Sequence, residues 1–250
     1  LLGNIMKSEQ FFEEKGYLLI KGFLDKNLCG LLYHHIQNEA LRLGYLMENF
    51  KHEDFNRGLN YEIHGRFDDS QAYNDFSKYG DPIFDSILDL KTKEMSELTG
   101  MNLVPNYSYH RLYTTNTELK RHKDRASCEI STTICIGYNS DYNWPMFIGP
   151  KDGEKGTSGM PINLEPGDMI IYRGYDIEHW REPFKGINHA QLFLHYNRID
   201  GPFEYNEETD KFDGRPILGL TPNHRNSSSK EVEHRKLKTQ EIKKTSKVIE

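Results

Sequence analysis

Arg121-His122-Lys123-Asp124 leads within a few residues into Glu129-Ile-Ser-Thr-Thr-Ile-Cys-Ile-Gly-Tyr138, the best strand pattern in the chain. In extended backbone, residues i and i+2 point to one face, so His122 and Asp124 present an imidazole and a carboxylate side by side. Glu178-His179-Trp180 follows 55 residues after Asp124. It comes after Glu165-Pro166-Gly167-Asp168-Met169-Ile170-Ile171-Tyr172, a tight turn feeding an apolar strand. Two histidines and one aspartate on adjacent strands form a facial triad. Such a set leaves three positions of an octahedral metal open and suits Fe(II) in enzymes that activate O2. The competing reading is a surface turn at His122 and Asp124 with a satisfied core histidine at 179.

Outward from this stretch the chain keeps a period of two from Val104 to Asn197. The expected strands are 106–113, 128–138, 145–149, 160–164, 168–173 and 189–197, separated by turns rich in Gly, Pro, Asn and Asp. Helical spacing precedes them. A short helix is expected from Ser8, as N-cap, to Lys15, ended by Gly16 and followed by a strand at 17–20. Asp25 caps a helix from Lys26 to Leu43, ended by Gly44, with Leu28, Leu31, Leu32, Ile36 and Ala40 as its apolar positions. Asp81-Pro82 opens another, with Pro at the first helical position and Gly100 at its end. Its stripe is Ile83, Phe84, Ile87, Leu88, Leu90, Met95 and Leu98. Residues 1–5 are left out of this reading. Helices before a run of short antiparallel strands predict an α+β, mainly β chain built on a sandwich or jelly roll.

Residues 48–80 carry no sustained period and mix Phe, Tyr, His and Arg with Asp and Asn. A segment of this kind reads as a lid over a substrate, with His52 and His64 as surface histidines. Residues 221–250 are rich in Ser, Lys and Glu and lack aromatics, so they are expected to be a disordered or weakly helical tail behind a domain spanning 6–220. The formal net charge is −6, which argues against a general nucleic-acid surface. No apolar run approaches the roughly 18 residues that span a bilayer, and no signal-peptide pattern opens the chain. Three cysteines, an odd and sparse set, argue against a disulfide framework and set the expectation of a reducing cytoplasmic compartment.

These pieces resemble the Fe(II)- and 2-oxoglutarate-dependent oxygenases, in particular the prolyl-hydroxylase-like and phytanoyl-CoA-hydroxylase-like branches. The matching residues are Phe11 to Ile20 with the helix that follows, Tyr113, His122-x-Asp124, Pro166-Gly167-Asp168, His179 and the closing strand at 189–196. The resemblance covers about residues 8–200. It implies a double-stranded β-helix (jelly roll) with N-terminal helices packed on one side. It also implies iron bound by His122, Asp124 and His179, and hydroxylation or a related C–H oxidation with O2 that turns 2-oxoglutarate into succinate and CO2. The substrate would be an amino acid, a peptidyl residue or a small metabolite. Asp124 argues against halogenation, because halogenating relatives lack that carboxylate.

One position departs from the family. An Arg or Lys about ten residues past the second histidine usually pairs with the far carboxylate of 2-oxoglutarate. Here that position is His189, with Gln191 two residues on. The substitute expected from the alternation is Arg111, on the face of Tyr109 and Tyr113, with His189 and Gln191 as hydrogen-bonding neighbours. Arg125, Arg173 and Arg181 are weaker candidates. Ser131 and Thr133 share one face of the central strand and could bind a carboxylate, although Thr132 and Ile134 would do so on the opposite alternation. Trp144 and Trp180 are candidate walls. The missing cation motivates one alternative, an iron oxygenase that uses no 2-oxoglutarate. A second alternative is a cupin-like metal-binding module without catalysis.

Overall fold

The computed structural model describes residues 2–49, 61–206 and 212–220. Helix α1 (Leu2–Lys15) leads into strand β1 (Tyr17–Ile20), helix α2 (Lys26–Asn49), the single turn α3 (Tyr61–His64), β2 (Phe76–Tyr79) and helix α4 (Pro82–Thr99). Eight strands follow: β3 (Leu103–Thr114), β4 (Leu119–His122), β5 (Ile130–Asn139), β6 (Met146–Ile148), β7 (Met160–Ile162), β8 (Met169–Tyr172), β9 (His179–Arg181) and β10 (Asn188–Arg198). They form two antiparallel sheets, one of six strands in the order β1-β8-β5-β10-β3-β2 and one of four in the order β4-β9-β6-β7. The architecture is the double-stranded β-helix, mainly β, with α1, α2 and α4 against one side of the larger sheet.

Alternation along the central strands sorts the core into two layers. On β5, Ile134 and Ile136 point outward to the helices, where they join Leu192, Leu194 and Tyr196 of β10 and Phe12, Leu32, Ile36, Phe84 and Leu88 of the helices. Burying each such side chain contributes about 1.5–3 kcal/mol. The opposite alternation faces between the sheets, where Cys135, Ile170 and Tyr172 pack on Met146, Ile148 and Ile162. Ser131 and Thr133 lie on this inner face, as do Tyr109, Arg111 and Tyr113 of β3. This settles which face of β5 carries the polar pair.

Several boundaries differ from the expectation. α1 begins at Leu2, so Ser8 lies inside the helix and is not its cap. α2 runs through Gly44 to Asn49, because packing of its Leu43 turn against the core outweighs a single glycine. Its buried positions are Cys29, Leu32, Ile36 and Leu43, while Leu31 is mostly exposed. α4 matches in its bounds, where Asp81 accepts from the Ile83 amide and Gly100 closes the helix with positive φ. Of its expected stripe, Phe84, Leu88 and Met95 are buried and Ile87 and Leu98 half-buried, whereas Ile83 and Leu90 lie on the solvent side. Within 48–80, residues 50–60, and with them His52, lie outside the described residues. The remainder holds β2, an edge strand of the larger sheet that lacks a clear period. The expected tail, residues 221–250, also lies outside the described residues. No described helix is long and apolar enough to cross a membrane.

Candidate metal centre

β4 and β9 are only four and three residues long, and neither was expected as a strand. They pair antiparallel with His122 directly opposite His179, which brings the two ring centres to 4.3 Å. Asp124 lies just past β4, where its amide donates to the Gly174 carbonyl at 2.8 Å. Its Oδ1 is 3.7 Å from Nε2 of His122 and 3.5 Å from Nε2 of His179. One ligand atom from each of the three residues falls within a common 4.8 Å.

The other ring nitrogens decide what these atoms offer. Nδ1 of His122 is 2.7 Å from the Lys120 carbonyl and Nδ1 of His179 is 3.0 Å from the Ile177 carbonyl. A carbonyl only accepts, so both imidazoles carry a proton on Nδ1, and each ring in its neutral form turns a bare Nε2 toward the carboxylate. Three lone-pair donors thus converge with no hydrogen between them. That arrangement is repulsive until a cation, or a proton, enters it, and orientation of ligating histidines by carbonyls is characteristic of metal sites. Burial pushes Asp124 up, but His179, His195 and His122 outweigh it and hold the carboxyl well below its usual range. His122 is lowered by burial and by the neighbouring His179. His179 is raised, because the Asp124 charge overcomes its burial. The donor set, two neutral nitrogens and one carboxylate oxygen, fits a divalent transition metal with positions left open.

A second layer fixes the carboxylate. The Ser131 hydroxyl donates to Asp124 Oδ2 at 3.0 Å and lies 3.0 Å from Nδ1 of His195. Gly174 leaves room for this contact. A Cβ there would lie 2.5 Å from Asp124 Oδ2, 2.6 Å from the Ser131 hydroxyl and 2.6 Å from the Cys128 carbonyl. Gly174→Ala is therefore expected to displace Asp124 and weaken metal binding by about 10–100-fold, as loss of outer support does elsewhere, with little change in far-UV circular dichroism. Unchanged metal affinity in that variant would show that the carboxylate needs no such clearance.

Asp124, Cys128 and His195 form a second convergence that shares the aspartate. Burial and Asp124 push the Cys128 thiol up to about 12, and its sulfur is 2.9 Å from the Tyr107 hydroxyl. A protonated thiol is a poor ligand, so the histidine pair is the better metal set.

The triad stands at a cavity of about 260 Å³. Tyr109, Arg111, Tyr113, Thr133, Tyr172 and Arg181 are among its walls. Arg111 is bound already: Nη2 lies 3.2 Å from Asp69 Oδ1 and donates to the Tyr109 hydroxyl at 2.6 Å. Asp69 and Gln71, both from the segment expected as a lid, reach this site. Ser131 supports Asp124 and is not among the cavity-lining residues. His189 and Gln191 share the inner face of β10 with the cavity residues Phe193 and His195, but neither lines the cavity. His189 is enclosed by Tyr138, Trp144 and Phe184. Trp144 reaches the guanidinium of Arg181, whereas Trp180 stacks on Phe147 and Arg121. Arg125 pairs with Asp213 and Arg173 with Glu13. Gly174 and Tyr172 escaped sequence reasoning. Arg181, a weaker candidate by sequence, shares the ligand face through its i+2 spacing from His179 on β9.

No protein-family profile and no curated protein matches the sequence. Solved structures do match the fold. A prolyl-4-hydroxylase from Pseudomonas putida is 13% identical with a TM-score of 0.56, over 78% of this chain and 98% of that one. EctD from S. alaskensis with bound Fe is 13% identical with a TM-score of 0.55, over 89% of this chain and 84% of that one. The non-heme alpha-ketoglutarate-dependent epimerase SnoN from nogalamycin biosynthesis is 13% identical with a TM-score of 0.51, over 79% of this chain and 84% of that one. The shared feature is the double-stranded β-helix.

Proposed function

We propose that this protein is an Fe(II)- and 2-oxoglutarate-dependent oxygenase that oxidises a C–H bond of a small molecule or peptidyl residue, with hydroxylation as the outcome. The observation that carries the reading is the convergence of bare Nε2 of His122, bare Nε2 of His179 and the Asp124 carboxylate at the cavity. The similar folds, among them a hydroxylase and an epimerase, support the general chemistry.

His122, Asp124 and His179 would hold the metal. Bound iron with 2-oxoglutarate supplies O2 activation and the oxidative decarboxylation that yields succinate and CO2. The chain's part is to place and to shield. The Lys120 and Ile177 carbonyls hold the histidine tautomers, and the Ser131 hydroxyl holds Asp124. Tyr109, Tyr113 and Phe193 wall the cavity and exclude water, and Arg111 with Asp69 orients a polar group of the substrate. The test is an anaerobic Fe(II) titration with and without 2-oxoglutarate, followed by admission of air. A weak visible charge-transfer band that needs both, then succinate, is the expected result. Iron binding with no response to 2-oxoglutarate would favour an oxygenase without that cosubstrate.

The domain is proposed to close at Leu220. Residues 212–220 return to the β-helix: Asp213 accepts from the Ser127 hydroxyl at 2.7 Å, and the Leu218 amide donates to Asp85 at 2.6 Å. Ile217 is buried among Tyr107, Tyr109 and Cys128. A chain ending at Leu220 should melt within a degree or two of the full chain and keep its metal. One ending at Asn206 should melt several degrees lower. Equal melting of the two shortened chains would show that 212–220 contributes nothing.

A further inference from the structure

We propose that Arg181, on β9 two residues past His179, is the cation that takes the far carboxylate of the 2-oxo dicarboxylate, replacing the residue that would stand at position 189. The assignment rests on the proposed 2-oxoglutarate chemistry and deepens it.

Arg181 is 2% exposed and lines the cavity that holds the triad. Its Nη1 donates to the Trp144 carbonyl at 2.5 Å, and its guanidinium carbon lies 4.6 Å from the centre of the Trp144 ring. Its Nη2 is buried with no hydrogen-bond partner. Among the described residues no carboxylate pairs with it. A buried guanidinium without a counter-ion is costly to desolvate, and an orphaned donor beside it adds to that cost. A carboxylate entering the cavity would answer both at once, with the planar fork of arginine suited to it.

Position supports the same conclusion. Two residues of strand advance about 6.6 Å along one face, so Arg181 stands one step from the metal position. That step is of the order of the length of an extended five-carbon dicarboxylate. Thr133 and Tyr172 offer hydroxyls in the same cavity. Tyr113 is nearby as well, on the face shared with Arg111.

The two alternatives are weaker. Burial and the adjacent Arg181 charge hold His189 well below its usual range, so it is neutral, and Gln191 Nε2 lies 2.8 Å from its Nδ1. Arg111 already faces Asp69 and the hydroxyls of Tyr109 and Tyr113. A second carboxylate there would compete with Asp69.

The experiment compares two ligands under anaerobic conditions with Fe(II) bound. One is 2-oxoglutarate. The other is 2-oxopentanoate, the same chain with a methyl in place of the far carboxylate. Dissociation constants come from the visible band and from calorimetry, for wild type, Arg181→Gln, Arg181→Lys and Arg111→Gln, each checked for Fe(II) binding. Wild type should prefer 2-oxoglutarate by 100-fold or more. Arg181→Gln should lose most of that preference by weakening 2-oxoglutarate alone, Arg181→Lys should keep part of it, and Arg111→Gln should keep nearly all. A merely structural role for Arg181 would weaken both ligands equally and overturn the assignment. So would a preference that survives in Arg181→Gln, or one lost only in Arg111→Gln. Should Arg181→Gln fail to fold, Arg181→Lys decides, since an unchanged preference there overturns the bidentate guanidinium contact. Wild type that binds iron but not 2-oxoglutarate would instead remove the proposed function, an outcome read from the wild-type arm alone.

Discussion

Alanine at His122, Asp124 or His179 is expected to lower Fe(II) affinity by more than the 10–100-fold that loss of an outer support costs. Each residue supplies one of three donors that fall within 4.8 Å, and removing one leaves a two-donor site. The imidazoles cannot compensate by turning, because each Nδ1 is held by a backbone carbonyl, at 2.7 Å for His122 and 3.0 Å for His179. Asp124 cannot be replaced from Cys128, whose thiol stays protonated at neutral pH. His34→Ala and His64→Ala serve as controls, since neither residue belongs to either convergent set. Their affinities should equal that of the wild type. Anaerobic titration with Fe(II), or with Mn(II) as a redox-stable probe, makes the comparison directly. Undiminished binding in all three alanine variants would leave the proposed function without its metal.

The second large effect concerns stability in acid. His110 lies on β3 on the helix-facing side of the sheet, fully buried, with ring centres of Phe84 at 4.7 Å and Phe76 at 5.7 Å. Neither ring nitrogen has a partner. Burial lowers its pKa to about 3, with Lys78 and His35 adding to the fall and Asp81 and Glu39 opposing it. The unfolded chain protonates the same ring near pH 6.5. Between pH 6.5 and about 3 the unfolded state therefore binds one proton that the folded state refuses. Stability from this residue is complete above pH 6.5 and falls as pH drops, by about 1.4 kcal/mol per unit. His195, lowered to about 4 chiefly by burial, acts in the same direction. Urea unfolding from pH 7 to pH 4.5 should show the loss. His110→Leu isolates the share of His110, since the leucine fills a similar space and removes two unpaired polar atoms. It should raise stability at pH 7 by about 1–3 kcal/mol and reduce the acid slope by about one proton. An identical slope in wild type and His110→Leu would mean that other groups carry the acid sensitivity.

The major strands, the capped helix at Pro82–Thr99 and the jelly-roll class were legible because each rests on local chemistry. A buried strand shows its period of two, and a capped helix shows Asp81, Pro82 and Gly100. β4 and β9 were not legible, because three or four residues carry no measurable period, and neighbours hold them in place. The same limit applied to β2, an edge strand whose Phe76 and Ser77 are buried by packing that the segment itself does not encode.

The site divides along the same line. Residue types and the His-x-Asp spacing pointed to a candidate set of metal donors, since donor chemistry belongs to each side chain and the i, i+2 rule belongs to any strand. Whether those donors meet depended on β4 pairing with β9 in the register His122↔His179, and no local feature sets a register between residues 57 apart in the chain. The choice of cation depended on the fold still more. Arg111, Arg125, Arg173 and Arg181 are alike as residues. Their difference is that Asp69, Asp213 and Glu13 stand beside the first three, and no carboxylate among the described residues stands beside Arg181. Charge pairing acts over a few ångströms in space and is indifferent to distance along the chain, so only the tertiary structure could decide it.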